Sequence, residues 1–214
     1  MKTFRVLCYR PDWDGHILDN AITGYSQLVN SIQHWRYRDI LSLLKCGHTE
    51  IWTPNENGEL YGDGDPSRKY LGLCWTSTMR GKTSGACVRP AYEVLDHPHR
   101  WYYYEIEVSD NGYTAMVTWM QGQVACNKRY DILDIFKFFL PIRKQDVNDC
   151  QKICSGFTSI AVWIAGDCTT IESVAGRYTS NWDVDDLVSP LLLSFRFWCL
   201  GGKPIDLKTG KVLV

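Results

Sequence analysis

The chain has 214 residues, enough for one well-filled hydrophobic core and few for two complete domains. Its 23 Lys plus Arg balance 24 Asp plus Glu, so it lacks the basic excess that gripping a nucleic-acid backbone would require, and no nucleic-acid partner is expected. Apolar residues at 45% and charged residues at 22% match an ordinary globular protein. The longest apolar stretches, Ile135–Ile142 and Leu191–Leu193, fall short of a membrane span, and stable membrane insertion is not expected.

Nine cysteines lie scattered at positions 8, 46, 74, 87, 126, 150, 154, 168 and 199. An odd, dispersed set argues against a disulfide framework. The opening Met1–Cys8 is quickly interrupted by Tyr9-Arg10-Pro11-Asp12 and does not read as a signal peptide. The expectation is a cytoplasmic protein in a reducing compartment with its thiols mostly free.

Phe4–Cys8 predicts a first strand ended by Pro11, and the recurrence of Ile22, Tyr25, Leu28, Val29, Ile32 and Trp35 predicts a helix between Ile17 and Arg36. Gly47–Thr53 is rich in β-formers and stopped by Pro54-Asn55; Asn55–Lys69 reads as loop. Tyr70–Thr76 and Trp101–Val108 predict strands joined by a polar connection ending in Cys87-Val88-Arg89-Pro90. Met116, Trp119, Met120 and Val124 mark a helix, and Ile132–Phe139 a second apolar one. Ile153, Phe157, Ile160, Ala161 and Ile164 lie on one face of a third helix. Leu192–Cys199 reads as strand, followed by a hairpin turned at Thr209-Gly210. Without regular β-α-β alternation, the pattern predicts a single α+β domain over residues 1–214.

Two places carry candidate chemistry. Cys154 opens the third helix, where unpaired backbone N–H groups and the helix dipole favour a thiolate. The small Ser155 and Gly156 beside it leave room for a substrate carbonyl. The competing reading is a buried core cysteine, the common fate of a free thiol. His48, Glu50 and Trp52 alternate on one strand and therefore share a face. A carboxylate there can hold one ring nitrogen while the other meets a thiol. The competing reading is a solvated edge strand.

Histidine before cysteine is the reverse of ordinary papain-type order. In this respect the chain resembles the circularly permuted papain-like amidases of the NlpC superfamily, relatives of lecithin:retinol acyltransferase. Gly47-His48-Thr49-Glu50-Ile51-Trp52 is similar to their histidine strand. Trp75-Thr76-Ser77-Thr78 and Ser84–Arg89 resemble the following small-hydroxyl and glycine-rich elements. Tyr130-Asp131-Ile132-Leu133, Cys154-Ser155 and Val188-Ser189-Pro190 match the later motifs in order, so the resemblance covers Phe4 to Pro190. It departs at Gly156, where a glutamate often follows Cys-Ser.

The resemblance implies a permuted papain-like domain, an antiparallel sheet or half-barrel packed against the nucleophile helix. It implies a cysteine peptidase or amidase-type hydrolase, or an acyltransferase, with Cys154 as nucleophile, His48 as base and a thioester intermediate. Glu50 is the first candidate for the orienting residue, with Glu59, Asp63 and Thr76 as alternatives. Expected partners are peptide-like or acyl substrates (peptide, isopeptide, cell-wall peptide or lipid acyl), with no cofactor and no metal. Many members are bacteriophage, viral or bacterial. An inactive papain-like binding or virion structural protein is the alternative function.

Other constellations read as structural. Cys150 and Cys154 lack further ligands at zinc spacing. His97-Pro98-His99 reads as a turn into the aromatic strand, and Gly62-Asp63-Gly64-Asp65 as a solvated turn without the terminal glutamate of a calcium loop. Glu105 and Glu107 argue against base stacking on Trp101–Tyr104. Trp52, Trp75 and Trp182 are candidates to shape one apolar groove.

Overall fold

The computed structural model describes residues 1–11, 24, 35–54, 72–79, 84–126, 128–130, 152–169, 172–184 and 188–214. Among the described residues, six strands form one antiparallel sheet: β1 (Lys2–Tyr9), β2 (His48–Thr53), β3 (Leu73–Thr78), β4 (Gly85–Pro90), β5 (Trp101–Val108) and the short β6 (Ile205–Asp206). Their order across the sheet is β4-β3-β2-β1-β5-β6. The helices are α1 (Arg38–Leu44), α2 (Ala91–Val94), α3 (Asp110–Cys126), α4 (Cys154–Asp167), α5 (Val174–Asn181) and α6 (Pro190–Cys199). Mixed helices and antiparallel sheet agree with the α+β class expected from sequence.

The period of two along each strand divides its side chains between two cores. Phe4, Val6 and Cys8 of β1 and Tyr102, Tyr104 and Ile106 of β5 enter the main core, with Phe157, Ala161 and Val162 of α4. Leu7, Trp52, Cys74 and Trp101 point the other way, into a smaller cluster with Ala91 and Val94 of α2. On that second face Arg5 lies 4.5 Å over the Trp52 ring and 5.1 Å over Tyr103. Tyr102 and Tyr104 bury their rings and share the Ser194 hydroxyl of α6 at 2.8 and 3.0 Å, so neither phenol is left without a partner.

Helix α4 is buried over its first nine residues, Cys154 to Val162. It packs tightly on α5 because Gly166 has no side chain; a Cβ there would meet the Ala175 carbonyl oxygen at 2.2 Å.

Three expectations are corrected. The run Leu192–Cys199 is helix, within α6, not strand. Ser189 caps it by accepting the Leu192 N–H at 3.2 Å and Pro190 occupies the first turn, a start signal that outweighs the aromatic β-formers. The connection ending at Pro90 is an ordered edge strand, β4, paired from Leu73↔Pro90 to Thr78↔Gly85. Its final proline suits an edge that needs no further donor. The strand placed at Tyr70–Thr76 runs instead from Leu73 to Thr78. The C-terminal hairpin is present, with Ile205 bridged to Val212 and Gly210 at φ +67° in the turn. The helix predicted over Ile17–Arg36 lies outside the described residues except for Gly24 and its end, where Trp35–Tyr37 form a 3-10 turn; Ile132–Phe139 is outside them altogether.

Candidate active site

The ladder between β2 and β3 runs only from Ile51↔Trp75 to Thr53↔Leu73. The first three residues of β2 and the last three of β3 continue without pairing to each other. In an antiparallel strand one residue's N–H and C=O point to the same neighbour, so Thr49 turns both toward the missing partner. The Thr76 hydroxyl donates to the Thr49 carbonyl at 3.0 Å, and the Thr49 N–H is taken by the sulfur of Cys154. The thiol thus occupies a gap in the sheet.

Cys154 reaches that gap from the first residue of α4. The preceding Ile153 is extended (φ −85°, ψ 165°) and supplies no side-chain cap. Both α5 and α6 are capped by serines, Ser173 and Ser189. The first turn of α4 contains no acidic residue to repel an anion. Two hydroxyls fix the entry: Ser77 of β3 donates to the Lys152 carbonyl at 2.6 Å, and Ser155 donates to the Val188 carbonyl at 2.6 Å. The Tyr130 hydroxyl stands 4.0 Å from the sulfur.

His48 is buried and hydrogen-bonded to Cys154. Its Nε2 lies 3.1 Å from Glu50 Oε1 and 3.4 Å from the Thr76 hydroxyl, which leaves Nδ1 as the nitrogen available to the thiol. Burial alone would depress the imidazole. The Cys154 charge, the hydrogen bond to it and the Glu50 carboxylate override burial and raise His48 from 6.5 to about 9. Cys154 moves oppositely: burial pushes its thiol up, but the His48 charge and hydrogen bond, the Thr49 N–H and the Tyr130 hydroxyl bring it below its ordinary 9.0. The equally buried Cys46 and Cys74 are pushed well above 9.0 by burial. Cys154 therefore differs from the core thiols around it.

Glu50 is 1% exposed and accepts from His48 and, at 2.5 Å, from Nη2 of Arg89 on β4. The structure thus brings together Cys154, His48 and Glu50, with Thr76 touching the same ring nitrogen as Glu50. Glu59 and Asp63 lie outside the described residues. Arg89 is the site residue that the sequence reading missed; the arginine is in the quoted Ser84–Arg89 stretch, but nothing local links it to a carboxylate on β2.

The remaining candidates fall elsewhere. His97 and His99 flank Pro98 at a 3-10 turn with ring centres 6.0 Å apart. Cys150 and Gly62–Asp65 lie outside the described residues, among which no group of three or more His, Cys, Asp or Glu is placed to hold a metal. The expected tryptophan groove does not form. Trp52 is in the smaller cluster, Trp75 in the main core on the opposite face, and Trp182 lies 4.1 Å from the Arg196 guanidinium. Cys126 is disulfide-bonded, while Cys154 and the other described cysteines are free. No described helix is long and apolar enough to cross a membrane.

No protein-family profile, curated protein or solved structure matches the chain.

Proposed function

We propose that the chain is a cysteine-dependent hydrolase or acyltransferase with a permuted papain-like fold, acting on an amide or ester bond. The observation that carries this reading is the buried Cys154–His48 pair, whose two members are shifted in opposite directions while Glu50 holds the far side of the imidazole. Opposed shifts favour a thiolate facing an imidazolium, the reactive form of a cysteine nucleophile. A cysteine at a helix start, set against an antiparallel sheet that carries the histidine earlier in the chain, supports the permuted arrangement.

In the proposed reaction the Cys154 thiolate attacks the carbonyl carbon, and the oxyanion is held by the uncapped first N–H groups of α4. His48 gives its proton to the departing amine or alcohol, leaving a thioester on Cys154. The neutral imidazole then removes a proton from water, or from an acceptor, as it attacks the thioester and restores the thiolate. Glu50 keeps the ring oriented through both steps. Peptide, isopeptide, cell-wall peptide and lipid acyl groups are the proposed substrates.

The test is labelling by an acyl-directed electrophilic probe, with Cys154→Ala as control and peptide mapping of all cysteines. The reading expects labelling of Cys154 that is lost in His48→Asn. Labelling of Cys154 no faster than that of the exposed Cys199 at neutral pH would assign the chain to a non-catalytic, binding role instead.

A further inference from the structure

Glu50 is 1% exposed, and it has few donors among the described residues. Both of its contacts fall on one oxygen: Oε1 receives Arg89 Nη2 at 2.5 Å and His48 Nε2 at 3.1 Å. Oε2 is buried and has no hydrogen-bond partner among the described residues. A carboxylate this deeply buried is costly unless its charge is paired. The described cation in contact with it, besides the imidazole, is Arg89.

Arg89 is placed for this by the sheet. It stands opposite Cys74 on β3, and Cys74 stands opposite Trp52 on β2, so the three share a face with Glu50. The guanidinium crosses over β3 to reach the carboxylate. Its side chain is 33% exposed, so the arginine bridges solvent and the buried oxygen. Surface ion pairs contribute little, but here one partner is 1% exposed.

We infer that Arg89 is a positioning residue for the Cys154–His48 pair: by pinning Oε1 of Glu50, it keeps that oxygen aimed at Nε2 of His48. The inference rests on the cysteine-nucleophile reading and adds a fourth member to it. Without Arg89, the carboxylate keeps His48 as its single donor among the described residues, and nothing else described there holds Oε1 in place, so the carboxylate turns away from Nε2. His48 then loses the partner that helps keep it cationic, and the Cys154 thiolate is less supported.

The described groups that face this line of contacts come from several elements. Cys154 comes from α4, Thr76 and Cys74 from β3, and Tyr130 approaches the sulfur. From β1, Tyr9 lies opposite His48, its hydroxyl engaged by Arg100 at 3.3 Å. Cys46 donates to the His48 carbonyl at 3.2 Å. Arg89 touches Glu50, and no described hydrogen bond or ion pair joins it to His48.

The experiment is an NMR titration of the His48 ring in the full chain, assigned by comparison with His48→Asn, together with the rate of Cys154 alkylation by iodoacetamide across pH. Arg89→Gln and Glu50→Gln are expected to bring His48 down from about 9 toward 6.5 and to move the acid limb of Cys154 alkylation to higher pH. Arg89→Lys, which keeps the charge, is expected to recover most of the wild-type value and guards against a variant that merely fails to fold. His48 near 9 in both wild type and Arg89→Gln, or raised further in the variant, overturns the role of Arg89 and leaves the thiolate–imidazolium pair standing. His48 titrating near 6.5 in the wild type overturns the pair itself, and the inference with it.

Discussion

Ser77 and Lys152, 75 residues apart, are joined by a 2.6 Å hydrogen bond from a strand hydroxyl to the carbonyl two residues before Cys154. The contact sets where α4 begins relative to β3. Removing the hydroxyl leaves a buried carbonyl without its donor, at a cost of about 1–3 kcal/mol. Ser77→Ala is therefore expected to lower stability by that amount in denaturant unfolding. It should also slow Cys154 labelling, because the sulfur shifts within its gap.

The Cys154–His48 pair predicts a bounded pH window. His48 is raised from 6.5 to about 9, so its contribution to stability is complete below 6.5 and lost as pH rises through about 9. Cys154 is lowered from 9.0, so its contribution is complete above 9.0 and lost as pH falls through the lowered value. On the proposed mechanism, activity follows the state in which both are charged. It is expected to form a plateau whose alkaline edge lies near 9 and whose acid edge lies below the ordinary thiol value, read as kcat/KM against pH. In Cys154→Ser the alkaline stability loss should shift to lower pH, since the sulfur charge that holds His48 up is gone.

Glu50 and Thr76 both touch Nε2 of His48, and substitution separates their roles. The Thr76 hydroxyl already donates to the Thr49 carbonyl, so toward His48 it serves only as an acceptor, at 3.4 Å. Thr76→Val is expected to cost about threefold in kcat, the worth of one ordinary hydrogen bond. Glu50→Gln removes the charge that supports the imidazolium and is expected to cost at least about a hundredfold. Equal losses in the two variants would make the hydroxyl an equal partner in orienting the ring.

Gly85 lies at φ +112°, and a Cβ there would stand 1.9 Å from the Lys128 carbonyl oxygen. The close approach brings residues 128–130 against the start of β4, where the Tyr130 N–H meets the Ser84 hydroxyl at 3.3 Å. Gly85→Ala must displace that segment and with it the Tyr130 hydroxyl near Cys154. A stability loss of about 2 kcal/mol or more is expected. The Cys154 thiol should also titrate higher than in wild type, measured by its ultraviolet thiolate absorbance.

Where the sequence was informative, a single local rule governed. β5 begins at Trp101 and ends at Val108 as its alternation requires, and the period of α4 falls on Phe157, Ile160 and Ala161, all buried. The pairing of His48 with Glu50 was legible for the same reason, two positions on one strand. Misreadings occurred where two rules competed. Leu192–Cys199 satisfies both a buried strand and a buried helix, and only the Ser189-Pro190 start distinguishes them. Arg89 could not be found locally, because its partner is 39 residues away across an intervening strand. The opposed shifts of Cys154 and His48 likewise depend on burial and proximity that spacing does not encode.

The incomplete ladder between β2 and β3 has a mechanical consequence. The Thr49 amide gives its proton to the Cys154 sulfur rather than to a strand. If, as proposed, that sulfur takes up an acyl group, it becomes a neutral, much weaker acceptor, and the amide loses its partner for the lifetime of the thioester. Hydrogen exchange at Thr49 would then be a clock on the covalent state, expected to be slow in the resting protein, faster while the sulfur is acylated and slow again when the group departs.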